Sequence, residues 1–370
     1  MSELSCRDGV FLRDLLPALA ARLGLADGRD RVGLPDGQRW VVVMVDGLGW
    51  DIVLPELADT PYLAEVIGDA QRIVAGLPST TAASLTSLWT GLPPGEHGVI
   101  GFSFEVAGQA TSAKYPDVVV PLFLRRPLPL PVSWASRLVD AGVALTWVIP
   151  PEHVRSGFTA MLAGRARLIG LEAAATANRV QAIVAASQAL RPSLTYVYDG
   201  RLDHAGHAHG VRSPAWRTQL GLIDRFLADL RQALPDDVRL VVTGDHGMID
   251  VGPADRLVID QLPDLARDVR LVAGEARCRY LYADRPAGVV QRWADRLGDQ
   301  AWVLTRAEAI DQGLFGPVVD PVYADRIGQV VVVARGPQAY LSRRFPAEFA
   351  LTGFHGAASA AERFVPLVID

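Results

Sequence analysis

Four short segments of the chain are almost continuously hydrophobic and rich in β-branched residues, and they constrain the fold more than any other feature. They are RWVVVMVDGLGW (39–50), VALTWVIP (143–150), SLTYVYDG (193–200) and VRLVVTGDHG (238–247). Strands of this kind are typical of a parallel sheet that is covered on both faces. Segments with helical periodicity, such as 83–92 and 215–235, lie between them. The alternation predicts an α/β fold with a mostly parallel central sheet flanked by helices.

The stretch from 255 to 350 has a different pattern. VRLVAGEARCRYLYAD and IGQVVVVARGPQAYL are typical of antiparallel strands, and the segment GVVQRWADRLGD between them has helical character. We therefore expect a small α+β insert at 255–350, within a catalytic core formed by residues 1–254 and 351–370. No long linker divides the chain, which is long enough at 370 residues for a large buried core.

Composition argues against several classes of protein. The net charge of -5 disfavours a general nucleic-acid binder, which usually carries a basic face. Two cysteines, Cys6 and Cys278, are too few for a disulfide framework. The first residues predict an amphipathic helix rather than a signal peptide, and no run approaches the roughly 18 apolar residues of a membrane span. We therefore expect a cytoplasmic protein that binds neither nucleic acid nor membrane.

Acidic residues follow three of the predicted strands. Asp46 comes directly after the first strand, Asp245 after the fourth, and Asp203 a few residues beyond the third. Ligand sites of open α/β sheets form at the carboxyl ends of the strands, so these three acids can meet at one edge. Because clustered carboxylates repel one another, a cation is the natural means of holding them together. The pattern therefore predicts a metal site.

The histidines strengthen this prediction. Asp203 and His207 are four residues apart in DHAGHAHG and can face one metal together if the segment forms a helical turn. His246 directly follows Asp245, and His355 lies in the C-terminal GFHG. The set mixes carboxylates with imidazoles and contains no cysteine, which favours zinc, with manganese as the alternative.

A second motif, GLPSTTAASLTSLWTGLPPGEHG (76–98), contains the candidate nucleophile. Ser79, Thr80 and Thr81 are residues that commonly start a helix. A hydroxyl at a helix N-terminus lies among free N–H groups and the positive end of the dipole, which stabilise an alkoxide and a phosphoryl group. Taken alone, the segment is more simply interpreted as a helix cap. Beside a predicted metal cluster, a nucleophilic role is favoured.

Taken together, five motifs resemble those of one known family. VDGLGW, PSTTAASLTSLWTGLPPGEHG, DHAGHAHG, TGDHGM and GFHG resemble, in this order, the nucleotide pyrophosphatase/phosphodiesterase branch of the alkaline phosphatase superfamily. The resemblance implies a phosphodiesterase with two zinc ions, in which Thr81 forms a phospho-threonine intermediate. The implied ligands form two sets, one of Asp203, His207 and His355, and the other of Asp46, Asp245 and His246.

One motif departs from the family pattern. Members commonly carry an asparagine shortly after the HG of this motif, where its amide helps to bind a phosphoryl oxygen, but HGVIGFSF places Phe102 and Ser103 there. These two residues and Trp89 are candidate substrate contacts. Phe102 and Trp89 either stack on a planar group such as a base or pack in the core. Three arginines are candidates for neutralising a substrate phosphate: Arg125, Arg126 and Arg201.

Other functions are alternatives to the phosphodiesterase. A phosphomonoesterase or phosphonate hydrolase would use the same residues. A non-catalytic metal-binding homologue is the rival of a different class, and the presence of all six ligands and Thr81 argues against it. A sulfatase needs a C/S-x-P-x-R context that neither cysteine provides. The chain also lacks the G-x-S-x-G elbow of serine hydrolases and the GxxxxGK[ST] motif of P-loop enzymes.

Overall fold

The computed structural model describes residues 4–7, 9–106, 117–124, 127–189 and 192–370. In this part of the chain the strands, numbered in order, are β1 (Arg39–Val45), β2 (Gln71–Val74), β3 (Ala144–Ile149), β4 (Arg167–Gly170), β5 (Ser193–Asp199), β6 (Val238–Gly244), β7 (Ile249–Asp250), β8 (Arg256–Val258), β9 (Leu271–Glu275), β10 (Cys278–Tyr282), β11 (Ala301–Thr305), β12 (Val330–Ala334), β13 (Ala339–Leu341), β14 (Gly353–Phe354) and β15 (Phe364–Ile369).

The α-helices are connected to these strands by short turns, several of them 3₁₀ in form. In chain order they are α1 (Leu15–Arg22), α2 (Trp50–Val53), α3 (Pro61–Val66), α4 (Thr81–Thr90), α5 (Pro94–His97), α6 (Trp134–Asp140), α7 (Gly157–Ala163), α8 (Thr176–Ser187), α9 (Arg201–His209), α10 (Pro214–Ala233), α11 (Pro263–Ala266), α12 (Pro286–Leu297), α13 (Arg306–Asp311), α14 (Pro321–Ala324) and α15 (Ala360–Arg363).

Seven strands form the main sheet, in the order β2-β15-β6-β1-β5-β3-β4. Strands β6, β1, β5, β3 and β4 pair in parallel, while β15 is antiparallel to both of its neighbours. Val45 at the end of β1 is level with Asp199 of β5 and Gly244 of β6. The mostly parallel α/β sheet predicted from the sequence is confirmed, and three of its strands end at the same edge.

Both faces of the main sheet are buried, which explains the hydrophobic runs of its central strands. Val42 and Met44 of β1 belong to one hydrophobic cluster, whereas Val41 and Val43 belong to another. Alternate residues of a strand point to opposite faces, so each face has its own core. The predicted helix at 215–235 is present as α10, whose apolar face lies in the second cluster.

A four-stranded antiparallel sheet, β11-β12-β10-β9, lies in the region of the predicted insert, together with α12. Its core residues and those on one face of the main sheet form one continuous hydrophobic cluster. One element differs from the prediction, since β13 pairs in parallel with β8 rather than with an antiparallel partner. The boundaries of the insert at 255 and 350 remain a prediction.

The remaining expectations concern the thiols and the helices. Cys6 and Cys278 are both buried and free. The N-terminal segment forms a 3₁₀ turn and then α1, which packs against α4 and α6. Among the helices described, none has both the length and the apolar character that a membrane crossing requires.

Candidate active site

The level ends of β1, β5 and β6 bring the three predicted acids together. Asp46 is the first residue after β1, and Asp245 is the first after β6. The Asp203 backbone N–H donates to the Asp46 carbonyl oxygen at 3.1 Å, and the Gly47 N–H donates to Asp245 Oδ1 at 3.1 Å. Strand register and local hydrogen bonds therefore place all three carboxylates at one edge, as the sequence predicted.

The segment that carries Asp203 and His207 is a full helix, α9, rather than an isolated turn. Asp203 Oδ1 lies 3.3 Å from His207 Nε2 across one helical turn. Gly206 is inside this helix, and a Cβ atom there would meet Met248 Sδ at 2.5 Å. Its role is thus close packing, whereas Gly210, with φ of 90°, ends the helix.

In each of the three predicted histidine ligands, Nδ1 forms a hydrogen bond with a backbone carbonyl oxygen. The distances are 2.8 Å for His207, 3.0 Å for His246 and 2.9 Å for His355. A hydrogen bond of this kind holds the proton on Nδ1 and leaves the Nε2 lone pair free for a metal. Burial lowers the pKa of all three rings, that of His207 to about 4, so they are neutral at pH 7.

The three carboxylates beside these rings are buried and only partly satisfied by hydrogen bonds. Burial and the charge of Asp245 raise the pKa of Asp46 to about 7, and burial raises that of Asp245 to about 6. Burial also raises the pKa of Asp203 well above its ordinary value. One oxygen of each carboxylate is buried and has no hydrogen-bond partner among the described residues. Neutral imidazoles beside unpartnered carboxylate oxygens fit divalent cations, which supply the missing positive charge.

Two groups of these side chains have ligand atoms within 4.8 Å of one another. One group is Asp203, His207 and His355, and the other is Asp46, Asp203 and His246. The motif-based assignment placed Asp245 with the second group, and its Oδ2 atom lies 3.7 Å from His246 Nε2. The six residues thus form one continuous cluster, in which Asp203 belongs to both groups.

Thr81 is the predicted residue whose hydroxyl reaches this cluster. It is the first residue of α4, and Thr80 is the N-cap. Thr81 Oγ1 lies 3.1 Å from His246 Nε2 and 3.4 Å from Asp46 Oδ2. The hydroxyl therefore lies at the positive end of a helix and beside two candidate ligands.

The hydroxyls of the two preceding residues, Ser79 and Thr80, form hydrogen bonds with other groups. The Ser79 hydroxyl donates to the Ala357 carbonyl oxygen at 2.8 Å. The Thr80 hydroxyl donates to the Glu275 carboxylate, so it does not cap the helix. These contacts distinguish Thr81 from the other two residues that the sequence offered as helix-start hydroxyls.

The candidate substrate contacts lie in different surroundings. Trp89 and Phe102 line a cavity that also contains Thr81. Trp89 is buried, and its ring packs against that of Trp147 with centroids 4.4 Å apart. Ser103 is also buried but does not line this cavity, and its hydroxyl bonds to the backbone of Gly274.

The arginine candidates do not supply a free cation among the described residues. Arg201 lines the cavity, but its guanidinium forms two hydrogen bonds to the Asp199 carboxylate, at 2.9 and 2.8 Å. Arg125 and Arg126 lie outside the described residues.

Two residues of the site were not predicted from the sequence. The Tyr198 hydroxyl donates to Asp46 Oδ2. Glu275 lines the cavity beside Thr80, and burial raises its pKa to about 8. Tyr198 belongs to a hydrophobic strand and resembles an ordinary core aromatic, while Glu275 is a single acid in the antiparallel sheet. Neither residue lies in a sequence motif that could have identified it.

Comparison with known families identifies the family of this chain. The family model for type I phosphodiesterase/nucleotide pyrophosphatase matches residues 40–358. The chain belongs to this family. The resemblance inferred from the motifs, and with it the alkaline phosphatase superfamily, is confirmed. So is the predicted class of enzyme, a metal-dependent phosphoric ester hydrolase.

Two relatives are similar to short stretches of this chain. The catalytic subunit of GPI ethanolamine phosphate transferase 3 is 41% identical over 51 residues in Homo sapiens and 43% over 47 residues in Mus musculus. These alignments cover 14% and 13% of this chain, and only 5% and 4% of the two relatives. They are local similarities, so the activity of the transferases as a whole is not carried over.

Solved structures share the fold over most of the chain. Murine ectonucleotide pyrophosphatase/phosphodiesterase 5 has a TM-score of 0.68 at 20% identity, covering 89% of this chain and 87% of that one. An inactive variant of the murine protein has been solved in complex with AMP. Phosphonoacetate hydrolase from Sinorhizobium meliloti 1021, in complex with phosphonoformate, has a TM-score of 0.64 at 21% identity, covering 89% of each chain.

Proposed function

We propose that the protein is a phosphodiesterase of the nucleotide pyrophosphatase type that acts through a phospho-threonine formed on Thr81. The observation that carries this proposal is the position of Thr81 Oγ1, 3.1 Å from His246 Nε2 and 3.4 Å from Asp46 Oδ2. A weakly nucleophilic hydroxyl beside candidate metal ligands is one that a metal can activate. The N-terminus of α4 adds a partial positive charge at the same place.

The residues that would hold two metal ions are the six of the cluster. The mixture of imidazole and carboxylate ligands in this cluster favours zinc. When bound, a pair of divalent cations neutralises charge on the phosphoryl group and makes hydroxyl groups and water more acidic. This assignment is supported by the unpartnered oxygens of Asp46, Asp203 and Asp245, and by the three histidines, whose Nδ1 hydrogen bonds leave Nε2 without a proton.

Two displacements at phosphorus complete the reaction. In the first, Thr81 Oγ1 forms a bond to phosphorus as the bond to the departing alcohol breaks, and that alcohol leaves with a proton. In the second, a water oxygen forms a bond to phosphorus as the bond from phosphorus to Thr81 Oγ1 breaks. One water proton returns to Thr81, and the phosphate monoester of the retained alcohol leaves. The first-turn backbone N–H groups of α4 have no intrahelical partners, so they are donors available to a phosphoryl oxygen near Thr81.

The test pairs metal analysis of the purified protein with turnover of two chromogenic substrates. We expect about two zinc ions per chain, and faster cleavage of bis-p-nitrophenyl phosphate than of p-nitrophenyl phosphate. Thr81→Ala should lower turnover by about three orders of magnitude or more. Thr86→Ala is the matched control, because Thr86 is in the same helix and its hydroxyl donates to the Ala82 carbonyl oxygen at 2.7 Å. Enzyme that is acid-quenched during turnover of bis-p-nitrophenyl phosphate should carry the p-nitrophenyl phosphoryl group on Thr81.

Each other outcome contradicts a particular part of the proposal. Full activity of Thr81→Ala excludes the covalent scheme, and unchanged metal content in His355→Ala excludes that ligand assignment. A preference for the monoester, or for a phosphonate, would keep the metal site and favour the alternative hydrolases. A protein that binds no metal and cleaves neither substrate after addition of zinc or manganese would contradict the two-metal mechanism.

A further inference from the structure

The side chain of Thr80, which precedes the candidate nucleophile, does not cap helix α4. Thr80 is the N-cap residue and its backbone is extended, with φ of -144° and ψ of 143°. Among the described residues, however, its hydroxyl accepts no hydrogen bond from the first turn. A threonine at this position commonly accepts such a bond from the backbone N–H of the second or third helical residue. The N-terminus of α4 therefore lacks the side-chain acceptor that its sequence provides.

Four other helices show the usual arrangement. In each, the hydroxyl of an N-cap serine or threonine accepts a hydrogen bond from the backbone N–H three residues later, at 3.0 to 3.5 Å. These helices and their caps are α6 with Ser133, α7 with Ser156, α10 with Ser213 and α13 with Thr305. The corresponding donor in α4 is the backbone N–H of Ala83.

The Thr80 hydroxyl bonds to Glu275 instead. Thr80 Oγ1 donates to Glu275 Oε1, from a residue 195 positions away in sequence. Glu275 is the last residue of β9, in the antiparallel sheet. A carboxyl group has an acceptor oxygen whether it is ionised or neutral, so the burial that raises the pKa of Glu275 to about 8 does not remove this contact. The contact turns the hydroxyl away from the helix N-terminus.

The surroundings of Glu275 fix the position of its carboxyl group. Glu275 is paired with Cys278 between β9 and β10. Its side chain also packs against Gly356, the residue after His355, where a Cβ atom would lie only 2.7 Å from Glu275 Cβ and 2.8 Å from Cγ. With φ of 119°, Gly356 has a backbone conformation that favours glycine. These contacts restrict the movement of the Glu275 side chain away from Thr80.

The position of the first-turn N–H groups makes this contact relevant to the reaction. Thr81, Ala82 and Ala83 form the first turn of α4, and Thr80, Thr81 and Glu275 all line the cavity. N–H groups of a first helical turn have no intrahelical acceptor and can bind phosphoryl oxygens. A phosphoryl group bonded to Thr81 Oγ1 would lie beside them. A Thr80 hydroxyl that capped the helix would compete with that phosphoryl group for the Ala83 N–H.

We propose that Glu275 is a positioning residue for the reaction: by holding the Thr80 hydroxyl, it keeps the first-turn N–H groups of α4 open to a phosphoryl oxygen. This inference rests on the proposed phosphodiesterase function and deepens it. Glu275 acts through Thr80 and does not need to touch the substrate. Loss of Glu275 is therefore harmful only while Thr80 keeps a hydroxyl that can rotate onto the helix N-terminus.

The experiment is a double-mutant cycle on the zinc-loaded enzyme, with methyl p-nitrophenyl phosphate as the substrate. Glu275→Ala frees the Thr80 hydroxyl to cap α4, and we expect kcat/KM to fall about fivefold, the equivalent of a threonine N-cap. Thr80→Val removes the hydroxyl, so this variant and the Thr80→Val/Glu275→Ala double variant should both stay within about twofold of wild type. Glu275→Gln keeps an acceptor oxygen and should also retain activity.

Other roles of Glu275 give different patterns. If its charge repels the phosphate, Glu275→Ala and Glu275→Gln both raise kcat/KM. If it binds the substrate directly or only supports the local structure, Thr80→Val does not restore the activity lost in Glu275→Ala. Either pattern, or no loss in Glu275→Ala, overturns the inference. Glu275→Leu, which keeps the bulk without an acceptor, replaces Glu275→Ala if that variant does not fold.

A control variant accounts for the charge of the cavity. Glu152→Ala removes an exposed carboxylate that lines the same cavity away from α4. Because exposed charges are screened by solvent and salt, this variant should keep kcat/KM within about twofold of wild type. A fall equal to that of Glu275→Ala would overturn the specific role of Glu275.

Failure of the chemistry would be distinguishable from failure of this inference. If the wild type cleaves no diester, the proposed function fails, and calorimetric titration of the zinc-loaded Thr81→Ala protein with methyl p-nitrophenyl phosphate decides the inference. In that background, Glu275→Ala should weaken binding about fivefold, and adding Thr80→Val should restore it. Equal affinities in all three proteins, or binding to none of them, overturn the positioning role of Glu275.

Discussion

The ion pair between Arg277 and Glu362 connects the antiparallel sheet with the segment that follows His355. Arg277 Nε donates to Glu362 Oε1 at 2.8 Å and Nη2 donates to Oε2 at 2.9 Å, and both side chains are completely buried. Glu362 also accepts hydrogen bonds from the Ala357 backbone N–H at 2.9 Å and from the Ser359 hydroxyl at 2.6 Å. Arg277→Ala would leave a buried carboxylate without its counter-charge.

The size of the effect follows from this burial. Removing one partner of a buried ion pair costs about 3–5 kcal/mol. The entropy of unfolding is about 2.1 cal/mol/K per residue, or roughly 0.8 kcal/mol/K for 370 residues, so Tm should fall by about 4–6 °C. The assay is differential scanning calorimetry of wild type and variant with saturating zinc.

A surface pair provides the matched control. Arg306 Nη1 lies 2.7 Å from Asp325 Oδ1, and the Asp325 side chain is 96% exposed. Because exposed pairs contribute about 0–1 kcal/mol, Arg306→Ala should shift Tm by only about 1 °C. The reasoning is refuted if Arg277→Ala and Arg306→Ala lower Tm equally.

Two further predictions concern acid stability and the metal ligands. Burial alone would raise the pKa of Glu362, but Arg277 and the other donors hold it below its ordinary value. The stabilisation from this pair is therefore complete above the unfolded-state pKa of about 4.3 and is lost as pH falls through the lower folded-state value. Between pH 6 and pH 3, the free energy of unfolding measured with urea should fall more for wild type than for Glu362→Gln. Equal falls in the two proteins would contradict this prediction. Tyr198→Phe removes the donor to Asp46 and should weaken zinc binding about 10- to 100-fold, measured by competition with a chelator; unchanged affinity would contradict it.

The parts of the structure that the sequence predicted are those with a local signal. The central strands of the main sheet are buried on both faces, so their hydrophobic runs are visible without knowledge of their neighbours. Asp46 and Asp245 follow such runs directly, and the sheet register then brings them level. The spacing of Asp203 and His207 likewise has meaning within a single helix.

The parts that could not be predicted depend on contacts between distant segments. Tyr198 precedes Asp203 by only five residues, yet its role comes from its hydrogen bond to Asp46, which follows the neighbouring strand β1. Glu275 reaches Thr80 from a separate sheet, 195 residues away in sequence. The choice of Thr81 from three consecutive hydroxyl residues also rested on motif position. The structure separates them because each hydroxyl has different neighbours.

The two ends of helix α4 have different surroundings. Its N-terminus, with Thr81, lies at the sheet edge where the acids and histidines meet, and the same face continues through Leu85 to Trp89. The candidate acidic ligands are positioned by the carboxyl ends of β1, β5 and β6, so under the proposed function a change to them would alter the chemistry for every substrate. Leu85 and Trp89 belong to a more distant part of α4, and a change there leaves those acids in place. It follows that chains with the same candidate ligands can differ in what they accept beyond the phosphate.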